Sequence, residues 1–178
     1  MAVAYRHPLA CVLALLMGAA LGPAWAERYE NGYFAFERPQ GWKCNREDTE
    51  IVCEPQRPKG QPTDAIMIIT AKISGPQDTL AAYQDHLAHD ATATGSGTIF
   101  IPPKIVTING TLWVDATLYG SELRDYYTRY LATTRDGIAV VFTFSAHRGR
   151  YEALVGTALQ AVYTLELKKN WRDAVPRQ

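Results

Sequence analysis

The sequence predicts an α+β protein, a three-layer α/β/α sandwich whose mainly antiparallel sheet carries a helix before and after a β-meander. Three observations predict it. Strand-like runs follow one another between residues 104 and 147, joined in pairs by Asn109-Gly110 and Asp136-Gly137, dipeptides suited to the positive-φ positions of tight hairpins. An amphipathic helical pattern stands on each side of this meander, which is the pattern of helices packed on an antiparallel sheet. The run Ile138 to Phe144 is apolar on both alternating faces, so it needs cover above and below, which asks for three layers.

The elements read in order as follows. Tyr33 to Glu37 is a first strand, ended by the turn Arg38-Pro39-Gln40-Gly41. Trp42 to Arg46 and Glu50 to Glu54 form a hairpin; with Asp48-Thr49 as its two-residue loop, Cys44 stands opposite Cys53 at a non-hydrogen-bonded pair, where side chains approach closest. A four-residue loop gives the same register, and a cross-strand disulfide is the expected chemistry. The spacing is not C-x-x-C and no histidine lies nearby, which disfavours a redox pair or a metal site. After a loop rich in proline and glycine comes Ala65 to Ile73, an inner strand apolar on both faces. Ser74 or Gly75 then caps a helix with Pro76 near its first position and Asp78 in its first turn, running to about Asp90, with Leu80, Tyr83, Leu87 and Ala91 as its stripe. It gives way to Thr94-Gly95-Ser96-Gly97. The meander runs Lys104–Ile108, Thr111–Tyr119, Tyr126–Thr134 and Ile138–His147, and a helix over Tyr151–Leu167 closes the fold.

Composition bounds the function. The chain has 178 residues, 18 basic and 18 acidic side chains, 47% apolar and 20% charged residues. That excludes a disordered chain, a collagenous repeat and a polytopic membrane protein. Zero formal charge also speaks against nucleic acid as a partner, since binding phosphates non-specifically needs an excess of Lys and Arg.

Residues 1–26 read as a secretory signal peptide: basic Arg6 and His7, the apolar run Leu9 to Leu21, the breaker Gly22-Pro23, and small residues at Ala24 and Ala26. The apolar run is shorter than the roughly 20 residues that span a bilayer. Cleavage after Ala26 removes Cys11 and leaves Cys44 and Cys53 as an even pair. The expected organisation is thus a signal peptide, one domain over 27–167, and a basic tail over 168–178 that carries Lys168, Lys169, Arg172 and Arg177 against Asp173. Periplasmic or secreted localisation follows, with no transmembrane segment after cleavage.

Asn31-Gly32-Tyr33-Phe34-Ala35-Phe36 followed by Pro39-Gln40-Gly41-Trp42, then Thr107-Ile108-Asn109-Gly110 before a tyrosine-rich hairpin and a terminal helix, resembles the PsbP-like family, including bacterial envelope domains of the DcrB type. The resemblance covers about residues 31–167. It implies the same α/β/α sandwich and binding or accessory work, and it carries over no catalytic residue.

The residues themselves show no nucleophile elbow, phosphate loop, H-E-x-x-H, zinc spacing or dinucleotide fingerprint, so no enzyme and no cofactor is expected. His86 and His89 lie three apart on the solvent side of the first helix with Asp85 nearby, a weak candidate for a divalent metal. Hairpin loops at 109–110 and 136–137 and a six-residue connection over Gly120–Asp125 place Trp113, Asp115, Tyr119, Tyr126, Tyr130 and His147 on one sheet face, with Thr117, Thr128, Thr143 and Ser145 between them. Such a tyrosine-rich face can recognise a protein or peptide partner in the envelope; it also fits the wetter side of a sheet. The expected function is therefore an exported, non-enzymatic accessory protein, the alternative being a periplasmic small-molecule or divalent-metal binding protein.

Overall fold

The computed structural model describes residues 27–47, 49–93, 97–169 and 171. The signal-peptide reading at 1–26, Asp48, the turn residues Thr94-Gly95-Ser96 and most of the basic tail lie outside the described residues. A small sheet joins β1 (Arg28–Glu30), β2 (Phe34–Glu37) and β10 (Glu166–Leu167) in the order β1-β2-β10. The main sheet holds β3 (Trp42–Glu47), β4 (Glu50–Pro55), β5 (Ala65–Ile73), β6 (Thr98–Ile108), β7 (Thr111–Tyr119), β8 (Tyr126–Arg135) and β9 (Ile138–His147), ordered β3-β4-β5-β9-β8-β7-β6. Every pairing in both sheets is antiparallel. Helix α1 (Leu80–Ala93) packs on β6, β7 and β8 from one face, and α2 (Tyr151–Tyr163) with the small sheet covers the other. This is the α/β/α sandwich the sequence predicts.

Two unequal cores follow. The α2 face collects Phe34, Phe36, Trp42, Ile51, Met67, Ile69, Phe142 and Phe144, all essentially without solvent contact. The α1 face buries a smaller set, Leu87, Val114, Ala116 and Leu118. Trp171 belongs to the larger core: its indole N–H donates to the Asp136 carbonyl at 3.0 Å and its ring lies 6.1 Å from that of Tyr33. The packed domain therefore continues past Leu167.

Cys44 and Cys53 are paired across β3 and β4 and joined by a disulfide, with Cα atoms 4.0 Å apart. Their side chains sit in the main core, so the bond staples the outer hairpin to it. A Cys44→Ala/Cys53→Ala variant is expected to lose about 2–3 kcal/mol, the loop entropy that the crosslink removes from the unfolded chain. Urea unfolding of wild type with and without reductant, beside the variant, measures it.

The helices depart from expectation at their ends. Helix α1 begins at Leu80, not just after Gly75, and its cap is Thr79, whose hydroxyl accepts from the Ala82 amide at 3.1 Å. Asp78 instead folds back onto the Gly75 amide at 2.7 Å and accepts from the Tyr83 hydroxyl at 2.9 Å, while Lys72 stands 3.1 Å away. Burial alone would raise the Asp78 pKa, but these partners outweigh it and hold the carboxyl below its ordinary value. Burial and Asp78 together push the Tyr83 phenol up to about 12. Helix α2 ends at Tyr163, where the Thr164 hydroxyl caps the Gln160 carbonyl at 2.9 Å and the Leu165 amide tightens to the Val162 carbonyl at 3.2 Å. The residues after Thr164 then pair with β2 as β10, where a continuing helix was expected.

Candidate functional site

The hairpin turns at 109–110 and 136–137 form as expected, with Asn109, Gly110, Asp136 and Gly137 all at positive φ. They set Lys104 opposite Asp115, and Tyr126, Thr128 and Tyr130 opposite His147, Ser145 and Thr143. The connection between β7 and β8 differs. Gly120 (φ 73°) donates its amide to the Tyr126 carbonyl at 2.8 Å, and Asp125 adopts φ 64°. The two strands thereby close one residue sooner than a Gly120–Asp125 loop would allow. Tyr119 then pairs with Tyr127 and Ala116 with Tyr130. A one-residue slip turns a strand over, so the six candidate residues do not share a face. Tyr126, Tyr130 and His147 face α1; Trp113, Asp115 and Tyr119 face α2.

On the α1 side, Tyr126 stands edge-on to the His147 ring at 5.7 Å, and His147 Nδ1 accepts from the Gly149 amide at 3.3 Å. Tyr130 shares a hydrogen bond with the Ser121 hydroxyl at 3.2 Å and donates to Glu122. Burial and then the Glu122 carboxylate push its phenol well above the ordinary value. Thr128 and Ser145 satisfy each other at 2.7 Å, fully enclosed. Beyond these residues the sheet carries a different surface. Along β4 and β5, Ile51, Cys53, Ala65, Met67, Ile69 and Ala71 on the α2 face are buried. Their neighbours Val52, Ile66 and Ile68, with Val141 and Thr143 from β9, are only half-buried because α1 packs over the far side of the sheet. Glu50 and Glu54 border this open area.

On the α2 side, Asp115 is 4% exposed and takes both Arg129 Nε at 2.9 Å and Arg129 Nη2 at 2.8 Å. Burial would lower the Arg129 pKa, but the hydrogen bonds and charge of Asp115 outweigh it and raise it. Tyr119 donates to Asp125 at 3.0 Å, and its phenol is raised by that carboxylate. Trp113 is 2% exposed and lines a cleft beside the end of α2. Arg129 is the residue that sequence reasoning missed. The expected register put it on the opposite face from Asp115, and only the true register brings the two charges together.

His86 and His89 both lie exposed on α1, where His89 Nδ1 stands 3.0 Å from an Asp85 carboxylate oxygen. Among the described residues no three His, Cys, Asp or Glu side chains are grouped to hold a metal ion. No helix among them is long and apolar enough to cross a membrane.

No family model matches the sequence, and no curated protein matches it. Solved structures do match. The solution structure of cyanobacterial PsbP (CyanoP) from Synechocystis sp. PCC 6803 superposes with a TM-score of 0.58 at 11% identity, covering 84% of this chain and 96% of that one. A variant of the protein Mog1 gives 0.53 at 14% identity, covering 80% and 95%. LpqN of Mycobacterium tuberculosis, described as involved in cell envelope biogenesis, gives 0.50 at 12% identity, covering 82% and 87%. Identities this low speak to the fold alone. The aromatic β2, the Pro39-Gln40-Gly41-Trp42 turn and the meander before α2 therefore build what their resemblance implied, and the chain has a PsbP-like fold.

Proposed function

We propose that the protein is an exported, non-enzymatic accessory protein of the cell envelope that binds a protein or peptide partner on the open part of its α1 face. The observation that carries this reading is the asymmetry of β4, β5 and β9, which bury the residues facing α2 and leave Val52, Ile66, Ile68, Val141 and Thr143 only partly buried on the other side. Contiguous aliphatic surface that no element among the described residues covers is what a partner buries. Tyr126, Tyr130 and His147 supply an aromatic and polar edge of the kind enriched at interfaces, and Glu50 and Glu54 favour a partner with basic flanks. The buried disulfide and the involvement of LpqN in cell envelope biogenesis support an extracytoplasmic setting.

The test is site-specific photocrosslinking in intact cells. A crosslinker at Ile68 or Thr143 is expected to capture one discrete partner, and one at Lys59, in the exposed loop before β5, is expected not to. An Ile68→Glu/Val141→Glu variant should reduce the capture from Thr143 by about tenfold or more, equivalent to about 1.4 kcal/mol of binding, with its far-UV circular dichroism unchanged. Equal capture at Lys59, or undiminished capture by the folded variant, removes the open face from consideration.

A further inference from the structure

On the opposite side of the sheet, a cleft of about 320 Å³ opens between the β6–β7 hairpin, the end of α2 and β10. Its apolar walls include Ile108, Val162 and Leu165, its rim carries Arg135 and Lys169, and Trp113 lines it from within the core. The volume falls at the lower end of small-molecule sites, roughly 300–1,000 Å³.

The polar groups around it are unevenly satisfied. Arg135 Nη1 donates to Thr111 Oγ1 at 2.7 Å and its Nε lies 3.5 Å from Asp136 Oδ2, so the guanidinium is held in place. Glu166 is engaged by Arg28 at 2.7 Å. Asn109 donates its side-chain amide to the Tyr163 carbonyl at the end of α2. The Trp171 indole has its acceptor in the Asp136 carbonyl. The Trp113 indole N–H has none among the described residues, although the side chain is 2% exposed. Lys169 likewise has no carboxylate among the described residues within ion-pair distance. The cleft therefore holds a donor and, at its rim, an ammonium group without partners among the described residues, beside an apolar wall, while its two carboxylates, Asp136 and Glu166, are taken by Arg135 and Arg28.

We propose that this cleft binds a small carboxylate with an apolar body. The carboxylate would accept from the Trp113 N–H and pair with Lys169, while the body packs on Ile108, Val162 and Leu165. A free short-chain acid and the C-terminal residue of a peptide present the same chemistry. The site is separate from the open sheet face and stands or falls independently of it.

Isothermal titration with three probes tests it: hexanoate as the free acid, N-acetyl-leucine as the peptide end, and N-acetyl-leucinamide as the same body without charge. The acids are expected to bind at one site, and the amide about tenfold more weakly or not at all. Tighter binding of N-acetyl-leucine than of hexanoate identifies a peptide end, and the reverse order a free acid. Trp113→Phe keeps an aromatic side chain but removes the pyrrole ring with its N–H, and it is expected to weaken the acids about tenfold while leaving the amide unchanged. Lys169→Gln, at the rim, gives the same discrimination without disturbing the core, so the test survives a Trp113→Phe protein that fails to fold. Equal binding of acid and amide, no binding of any probe, or acid affinities unmoved by Lys169→Gln overturns the proposal. Photocrosslinking from Thr143 should be indifferent to Lys169→Gln, which separates this site from the partner face.

Discussion

An Asp115→Ala variant is expected to lose about 3–5 kcal/mol of stability, since removing one partner of a buried ion pair strands the other charge. The Asp115 side chain is 6% exposed and that of Arg129 24%, so the pair is enclosed more tightly at its carboxylate end. That residual access for Arg129 favours the lower end of the range. Both oxygens are used in a bidentate fork, the geometry in which arginine is hardest to replace. The fork also ties β7 to β8 diagonally, two residues off direct opposition, because Asp115 pairs with Leu131 and Thr117 with Arg129. Asp115→Asn retains one acceptor and should cost less than the alanine. The informative companion is Asp115→Leu/Arg129→Met: with no charge left to strand, it should recover most of the loss. Urea midpoints with unchanged slopes measure all three. A loss below about 1 kcal/mol for Asp115→Ala would mean that the pair behaves as an exposed salt bridge and that the enclosure around it contributes little.

That ion pair also shows where sequence stops determining structure. Asn109-Gly110 and Asp136-Gly137 announce their turns, because few residues tolerate the positive φ they need, and both registers follow directly. The Cys44–Cys53 pairing was legible for a different reason, a short connection between two alternating runs whose two possible loop lengths give the same register. Between Tyr119 and Tyr126 the chain reads Gly-Ser-Glu-Leu-Arg-Asp, which has no dipeptide that fixes loop length. The choice falls to the Gly120–Tyr126 hydrogen bond and the packing of the strands beyond it. One residue there decides which of two faces receives Tyr126 and Tyr130, since both faces offer aromatics and hydroxyls. Pro102-Pro103 hid half of β6: proline reads as a strand break, yet an edge strand tolerates it, and the pairing with β7 shifts between Ile101 and Lys104. Pro76 and Asp78 mimic a helix start while serving the turn before one. The open aliphatic area was invisible for a different reason. Ala65–Ile73 is apolar on both faces, and no local pattern says how far along the sheet α1 will sit.

Phe144→Ala is the other substitution expected to cost about 3–5 kcal/mol, from lost burial and the cavity left behind. Phe144 has no solvent contact, and its ring lies 5.6 Å from Tyr151 and 6.1 Å edge-on to Trp42, so it bridges α2 to β3 across the sheet. Such aromatic pairs add to plain area burial. In a domain of this size the loss should lower the melting temperature by on the order of 10 °C. The contrast lies one residue away. Thr143→Ala alters the opposite face of the same strand, where the side chain is only partly buried, and should change stability by less than about 1 kcal/mol. Ile69→Ala and Ile68→Ala repeat the comparison on β5, with only Ile69 fully buried. If each odd–even pair splits this way, the aliphatic surface at Ile68 and Val141 contributes little to holding the fold together, which leaves it available to a partner. If Ile68→Ala costs as much as Ile69→Ala, that surface is part of the core, and the proposed docking face loses its physical basis.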